Sequence, residues 1–112
     1  MGKPVSNSSN LIITFSNDFY KFYYALSLAS TLKATDKDVS IFISGYACHF
    51  IKKNWQDYDK EGINEKLKKK KMGSIEEMFA YCTELEVEIF YCESAIEFLS
   101  INTEEITNLG SI

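Results

Sequence analysis

The three cysteines and the single histidine are the residues of this 112-residue chain best suited to covalent chemistry. Cys92 directly follows an apolar run at residues 87–91 and precedes a segment with helical spacing. A sulfur in that position faces unpaired backbone N–H groups at a helix start, which favour the reactive thiolate. Glu93 opposes this effect, because a nearby carboxylate raises a thiol pKa. The sequence predicts Cys92 as a reactive thiol, with a small buried structural cysteine as the alternative.

Weaker candidates follow the other two apolar runs. Cys48 and His49 come shortly after the second run, and Asn17 and Asp18 come shortly after the first. Cys48 and His49 point in different directions on either a helix or a strand, but His49 can activate a thiol from elsewhere; the alternative is a surface histidine beside a partly buried cysteine. Asn17 and Asp18 suit a polar ligand, with helix capping as the alternative. Cys82 lies on the apolar stripe of a predicted helix, so we expect it in the core.

Three short apolar runs that alternate with helical patterns predict a β-α-β-α-α-β-α order. The runs are residues 11–15, 39–43 and 87–91, and Ser74 and Glu77 form a capping box before one of the helices. We expect one α/β domain over residues 11–112 with a parallel sheet, strand order 2-1-3 and helices on both faces. Residues 1–10 are interpreted as a flexible lead.

The carboxyl ends of parallel strands meet at one edge of a sheet, where ligands usually bind. This edge should gather the candidate residues Asn17, Asp18, Cys48, His49, Cys92 and Ser94. In the order 2-1-3 the first strand separates Cys48 from Cys92, so we do not expect a ready disulfide between them.

Composition excludes several classes of protein. All 12 basic residues are lysines within the first 71 residues, and residues 72–112 contain nine glutamates and no basic residue. The basic run at residues 66–71 has no interleaved aromatics, which argues against nucleic-acid binding. No apolar run or leader indicates a membrane or secreted protein, and three scattered cysteines suit a reducing cytoplasm. No cofactor or metal motif is present in the sequence.

Several segments in order resemble the DsrE/DsrF-like family, small proteins of sulfur metabolism often labelled predicted peroxiredoxins. They are residues 11–18, 39–43, 74–78, 85–92 and 101–106. The resemblance implies a persulfide on Cys92, sulfur donor and acceptor proteins as partners, and a homotrimer or homohexamer. The chain departs from the family at the lysine-rich residues 68–73, and it stops near Gly110 where the family usually has another short strand.

Two other functions remain as alternatives to a sulfur carrier. One is a non-catalytic interaction or regulatory subunit in which Cys92 is structural. The other is a thiol peroxidase, which is disfavoured because the chain contains no arginine to stabilise a peroxidatic thiolate. A homo-oligomer is also expected from the aromatics that crowd residues 19–24 on more than one helix face, since such a helix is seldom fully exposed.

Overall fold

The computed structural model describes residues 9–107, which form a three-stranded sheet and four α-helices. The strands are β1 (Asn10–Thr14), β2 (Val39–Ile43) and β3 (Glu88–Tyr91), and the helices are α1 (Phe19–Ala34), α2 (Ile63–Lys69), α3 (Ile75–Glu84) and α4 (Glu93–Phe98). Three 3₁₀ segments span Gly45–Ile51, Trp55–Tyr58 and Thr103–Glu105. Most of the predicted lead and the end of the chain from residue 108 lie outside the described residues, and β1 begins at Asn10, inside the predicted lead.

The three strands are parallel, as predicted, but their order is β1-β2-β3. The predicted order 2-1-3 is wrong, because β2 occupies the middle of the sheet. Its residues Val39, Ile41 and Ile43 are buried on one face, and Ser40 and Phe42 are half-buried on the other. The three apolar runs look alike in sequence, so their composition did not identify the central strand.

The strand order decides where the connecting helices lie. Right-handed crossovers that run in one direction across a sheet place their helices on the same face. In agreement, α1 packs on β1, β2 and α3, and the Cys82 thiol of α3 donates to the Leu26 carbonyl of α1 at 3.5 Å. A second crossover that runs back across the sheet, as in the order 2-1-3, would instead place the two connections on opposite faces.

The core lies between the sheet and this helical layer. Phe22, Leu26, Ile41, Ile43 and Phe50 are among its fully buried side chains. The Phe22 ring contacts the Phe50 ring with centroids 5.1 Å apart, which joins α1 to the 3₁₀ segment after β2. This packing holds the segment that follows β2 rigidly at the carboxyl edge of the sheet.

The opposite face of β1 presents apolar side chains to solvent. Leu11, Ile13 and Phe15 are each about 60% exposed. In residues 9–107 no helix combines the length and apolar character needed to cross a bilayer.

Candidate functional site

Cys92 joins β3 to α4 at the carboxyl edge of the sheet, as the sequence predicted. It is the N-cap residue of α4, with extended backbone angles. Its backbone N–H donates to the Ile43 carbonyl of β2 at 2.9 Å, which extends the β2–β3 ladder by one step. This hydrogen bond fixes the backbone of Cys92 and leaves its half-buried side chain at the start of the helix.

Hydrogen-bond donors around the sulfur favour the thiolate. The backbone N–H of Ala95 has the largest effect and lowers the pKa of Cys92, and the Ser44 hydroxyl and the backbone N–H of Ser94 act in the same direction. Partial burial and the charge of Glu93 raise that pKa, but the donors prevail. Glu93 has the weakest of these effects, so the objection drawn from the sequence is real but small.

Cys92 opens into a mainly apolar pocket of about 310 Å³. None of the side chains that line it is charged; they are Ser44, Gly45, Tyr46, Cys92, Ser94, Ala95, Phe98 and Leu99. Tyr46 is 53% exposed and Phe98 is 76% exposed, so the rim of the pocket presents two aromatic rings to solvent. Large exposed aromatics of this kind are typical of a surface that meets another protein.

Gly45 shapes the floor of this pocket by its backbone. Its φ angle is +54°, a left-handed conformation that glycine adopts without strain. A Cβ at this position would lie 3.0 Å from the Phe15 carbonyl oxygen, so a side chain has no room. Gly45 thus allows the chain to turn sharply between Ser44 and Tyr46, both of which face the pocket.

Cys48 lies beside Cys92 but is buried. Its thiol donates to the Ile43 carbonyl at 3.7 Å, the same oxygen that accepts from the Cys92 N–H. Burial raises the pKa of Cys48 to about 11. The expectation that β1 separates the two cysteines is wrong, because β2 and β3 are neighbours in the sheet. Cys82 is fully buried on α3, which confirms its predicted place in the core.

Ser94 shares the pocket of Cys92, whereas three other predicted site residues lie in a separate pocket of about 430 Å³. Asn17, Asp18 and His49 line it together with Tyr46 and Tyr58. The Asp18 carboxylate accepts from the Lys21 N–H at 3.1 Å and caps α1, as the alternative interpretation had it. Tyr46 lies between the two pockets, and the structure therefore divides the predicted site into two groups.

His49 stacks on Tyr58, with ring centroids 4.2 Å apart and planes 7° from parallel. Burial, followed by the charge of Lys52, lowers the pKa of His49 and so favours the neutral ring. His49 lines the second pocket and not the pocket of Cys92. The structure thus gives it no direct role in activating that thiol.

Ser44 is the residue that the sequence analysis missed. It directly follows β2 as Cys92 follows β3, and its N–H donates to the Thr14 carbonyl at 2.9 Å. In a parallel sheet, residues that directly follow neighbouring strands lie side by side at the carboxyl edge. With the correct strand order, this rule alone would have placed Ser44 beside Cys92.

Replacing Ser44 by alanine should weaken the thiolate. We expect Ser44→Ala to raise the pKa of Cys92 and to lower its alkylation rate at pH 7 by roughly fivefold, the effect of one hydrogen bond. The measurement is site-mapped iodoacetamide labelling across pH. Ser94→Ala is the matched control, because it keeps the Ser94 backbone N–H, and its rate should not change. An unchanged rate for Ser44→Ala would contradict the assigned role of the hydroxyl.

Comparison with known proteins supplies a family. The sequence model of the DsrE/DsrF-like family matches residues 11–112. No curated protein matches the chain. Within residues 9–107, no group of three or more histidine, cysteine or acidic side chains is arranged to hold a metal ion.

Proposed function

The chain belongs to the DsrE/DsrF-like family, and we propose that it carries sulfur as a persulfide on Cys92 and passes it to a partner. The observation that supports this most directly is the set of donors around Cys92, which favour its thiolate. The family is generally linked to sulfur relay, and Cys92 stands where the resemblance requires the sulfur-bearing residue. Of the three cysteines, it alone is not buried.

Both steps of the relay use the Cys92 thiolate. In loading, the thiolate attacks the outer sulfur of a donor persulfide, the donor S–S bond breaks and the donor leaves as a thiolate. In unloading, an acceptor thiolate attacks the outer sulfur of the Cys92 persulfide, and Cys92 leaves as the thiolate. The donors from Ala95, Ser44 and Ser94 stabilise the nucleophile in the first step and the leaving group in the second.

The pocket favours a persulfide carried by another protein over a small inorganic anion. No lining side chain is charged, so an anion such as thiosulfate finds no cation to bind. Tyr46 and Phe98 instead offer apolar surface around the sulfur. Glu93 and Glu97 are exposed on α4, so a partner approaching Cys92 meets acidic side chains beside it. A partner with an apolar contact surface and basic flanks fits this arrangement.

Sulfur loading tests the proposal. The reduced chain is incubated at pH 7 with excess polysulfide, which transfers sulfur to a thiolate by direct collision and needs no binding site; it is then desalted and its intact mass is measured. We expect a gain of one sulfur, roughly 32 Da, mapped by peptide analysis to Cys92. A chain that gains no sulfur at Cys92 would favour the interaction-subunit alternative. Consumption of hydrogen peroxide at a rate above that of free cysteine would instead favour a thiol peroxidase.

We also propose that the protein assembles as a homotrimer or homohexamer. Tyr20, Tyr24 and Leu28 recur every fourth residue on α1 and are 49%, 56% and 38% exposed. They form an apolar stripe on the solvent side of a helix whose other face is buried in the core. A second copy that covers this stripe would remove it from water.

Light scattering at micromolar concentration should give the mass of three or six chains. A charge within the stripe should disrupt assembly, so Tyr24→Glu is expected to shift the mass toward one chain. Lys60→Glu adds negative charge on an exposed loop and serves as the control, with no change in mass. A monomeric wild-type protein would contradict this proposal.

A further inference from the structure

Cys48 and Cys92 both donate a hydrogen bond to the same backbone carbonyl oxygen. The Ile43 carbonyl accepts from the Cys48 thiol at 3.7 Å and from the Cys92 N–H at 2.9 Å. The Cys92 N–H also interacts with the Cys48 sulfur, and this contact opposes the rise in the Cys48 pKa that burial causes. Ile43 and Tyr91 are register partners on neighbouring strands, which lie roughly 4.8 Å apart. The segments that follow these two residues therefore run side by side.

Cys82 differs from Cys48 only in its surroundings. It is equally buried, its pKa is also raised to about 11, and its thiol also donates to a backbone carbonyl. That carbonyl belongs to Leu26 in the helical layer, away from Cys92. Burial alone does not explain why Cys48 lies against the site, because Cys82 shows that the core accepts a cysteine elsewhere.

We propose that Cys48 is a resolving thiol, which attacks the persulfide on Cys92 and releases hydrosulfide. This step rests on the proposed function, because the persulfide is its substrate. It gives the protein a second activity, the discharge of its sulfur when no acceptor takes it.

The step balances without an external oxidant. The Cys48 thiolate attacks the inner sulfur of the Cys92 persulfide, the bond between the two persulfide sulfurs breaks, and hydrosulfide leaves. The products are a Cys48–Cys92 disulfide and HS⁻. The two cysteine sulfurs are oxidised by two electrons in total, and the outer sulfur takes up both electrons. The proton of Cys48 passes to solvent.

The buried thiol keeps this discharge slow at neutral pH. With a pKa of about 11, roughly one Cys48 in 10⁴ is a thiolate at pH 7, and the fraction rises about tenfold per pH unit. Cys92 is the group on a packed element whose charge acts on Cys48. The charged or titratable groups on the elements packed against the Cys48 segment are Asp57 and Tyr58 on Trp55–Tyr58, Glu93 and Glu97 on α4, and Tyr20, Lys21, Tyr23, Tyr24 and Lys33 on α1; Tyr46, His49 and Lys52 lie on or directly after the segment itself.

The experiment follows a loaded chain over time. Wild-type protein is loaded with polysulfide at pH 7, desalted, and held without oxygen at pH 7, 8 and 9. We expect the form with one added sulfur to convert to a form 2 Da lighter than the reduced chain, with one hydrosulfide released per chain. The rate should rise about tenfold per pH unit. Peptide mapping should identify the Cys48–Cys92 disulfide.

Cys48→Ala should retain its sulfur at pH 9, whereas the matched Cys82→Ala should discharge like wild type. If Cys48→Ala does not fold, the wild-type protein still tests the inference, through the mapped Cys48–Cys92 disulfide and the about tenfold rise of the discharge rate per pH unit. A wild-type chain that keeps its added sulfur at pH 9, or a sulfur that migrates to Cys48, would overturn the inference.

A second reagent separates this inference from the proposed function. 5,5′-Dithiobis(2-nitrobenzoate) first forms a mixed disulfide with Cys92, and attack by Cys48 then expels a second thionitrobenzoate. Release of two thionitrobenzoate ions per folded chain, and of only one from Cys48→Ala, supports the resolving thiol even if polysulfide loading fails. One equivalent from wild type, with a stable mixed disulfide on Cys92, refutes it and leaves the sulfur carrier intact.

Discussion

Cys92→Ser should take up no sulfur from polysulfide under conditions in which the wild-type chain gains one sulfur atom. Serine keeps the size and the backbone hydrogen bond to Ile43 but lacks the nucleophilic sulfur. Transfer to an acceptor thiol should fall by at least about 100-fold, as is usual when a covalent nucleophile is removed. The measurement is intact mass after loading, followed by the appearance of the sulfur on the acceptor.

The matched control is Cys82→Ala, which removes a thiol from the core and leaves the site unchanged. It should load one sulfur as wild type does, although it should be less stable because the core loses a buried group. Thermal unfolding of Cys92→Ser should resemble that of wild type, since Cys92 is half-buried at a sheet edge. Uptake of sulfur by Cys92→Ser would assign the sulfur to another cysteine and reject the carrier role of Cys92.

Local patterns in the sequence predicted the elements of the fold well. The capping box at Ser74 and Glu77 is present at the start of α3, with both hydrogen bonds formed. The boundaries of β2 agree with the predicted run at residues 39–43, because periodicity and turn residues report on local structure. The same logic placed Cys92 at the junction of a strand and a helix.

The strand order could not be predicted from local sequence patterns, because it depends on contacts between distant segments. The runs at β1 and β2 are similar in length and in β-branched content, and only the structure shows that β2 has no exposed residue whereas β1 has two. The error affected the predicted site, because the wrong order implied that Cys48 is far from Cys92 and gave no reason to place Ser44 beside Cys92. A separate expectation, that the carboxyl edge forms one site, grouped His49 with Cys92, whereas they line different pockets.

The three thiols should differ sharply in reactivity toward iodoacetamide in the folded protein. At pH 7 we expect Cys92 to be alkylated at least about 100-fold faster than Cys48 or Cys82. Donors from Ala95 and Ser44 lower the pKa of Cys92, whereas burial raises the pKa of each other thiol to about 11. Only the thiolate reacts, and burial adds a barrier to access.

Site-mapped mass spectrometry at several pH values measures all three rates in one sample. The Cys92 rate should reach half its maximum below pH 9, because its pKa lies below the ordinary value of 9.0. In urea the three rates should converge, since unfolding removes both the donors and the burial. Faster labelling of Cys48 than of Cys92 in the folded chain would show that Cys92 is not the accessible thiolate. The proposed carrier would then lose its sulfur-bearing residue, and a structural Cys92 within an interaction subunit would follow.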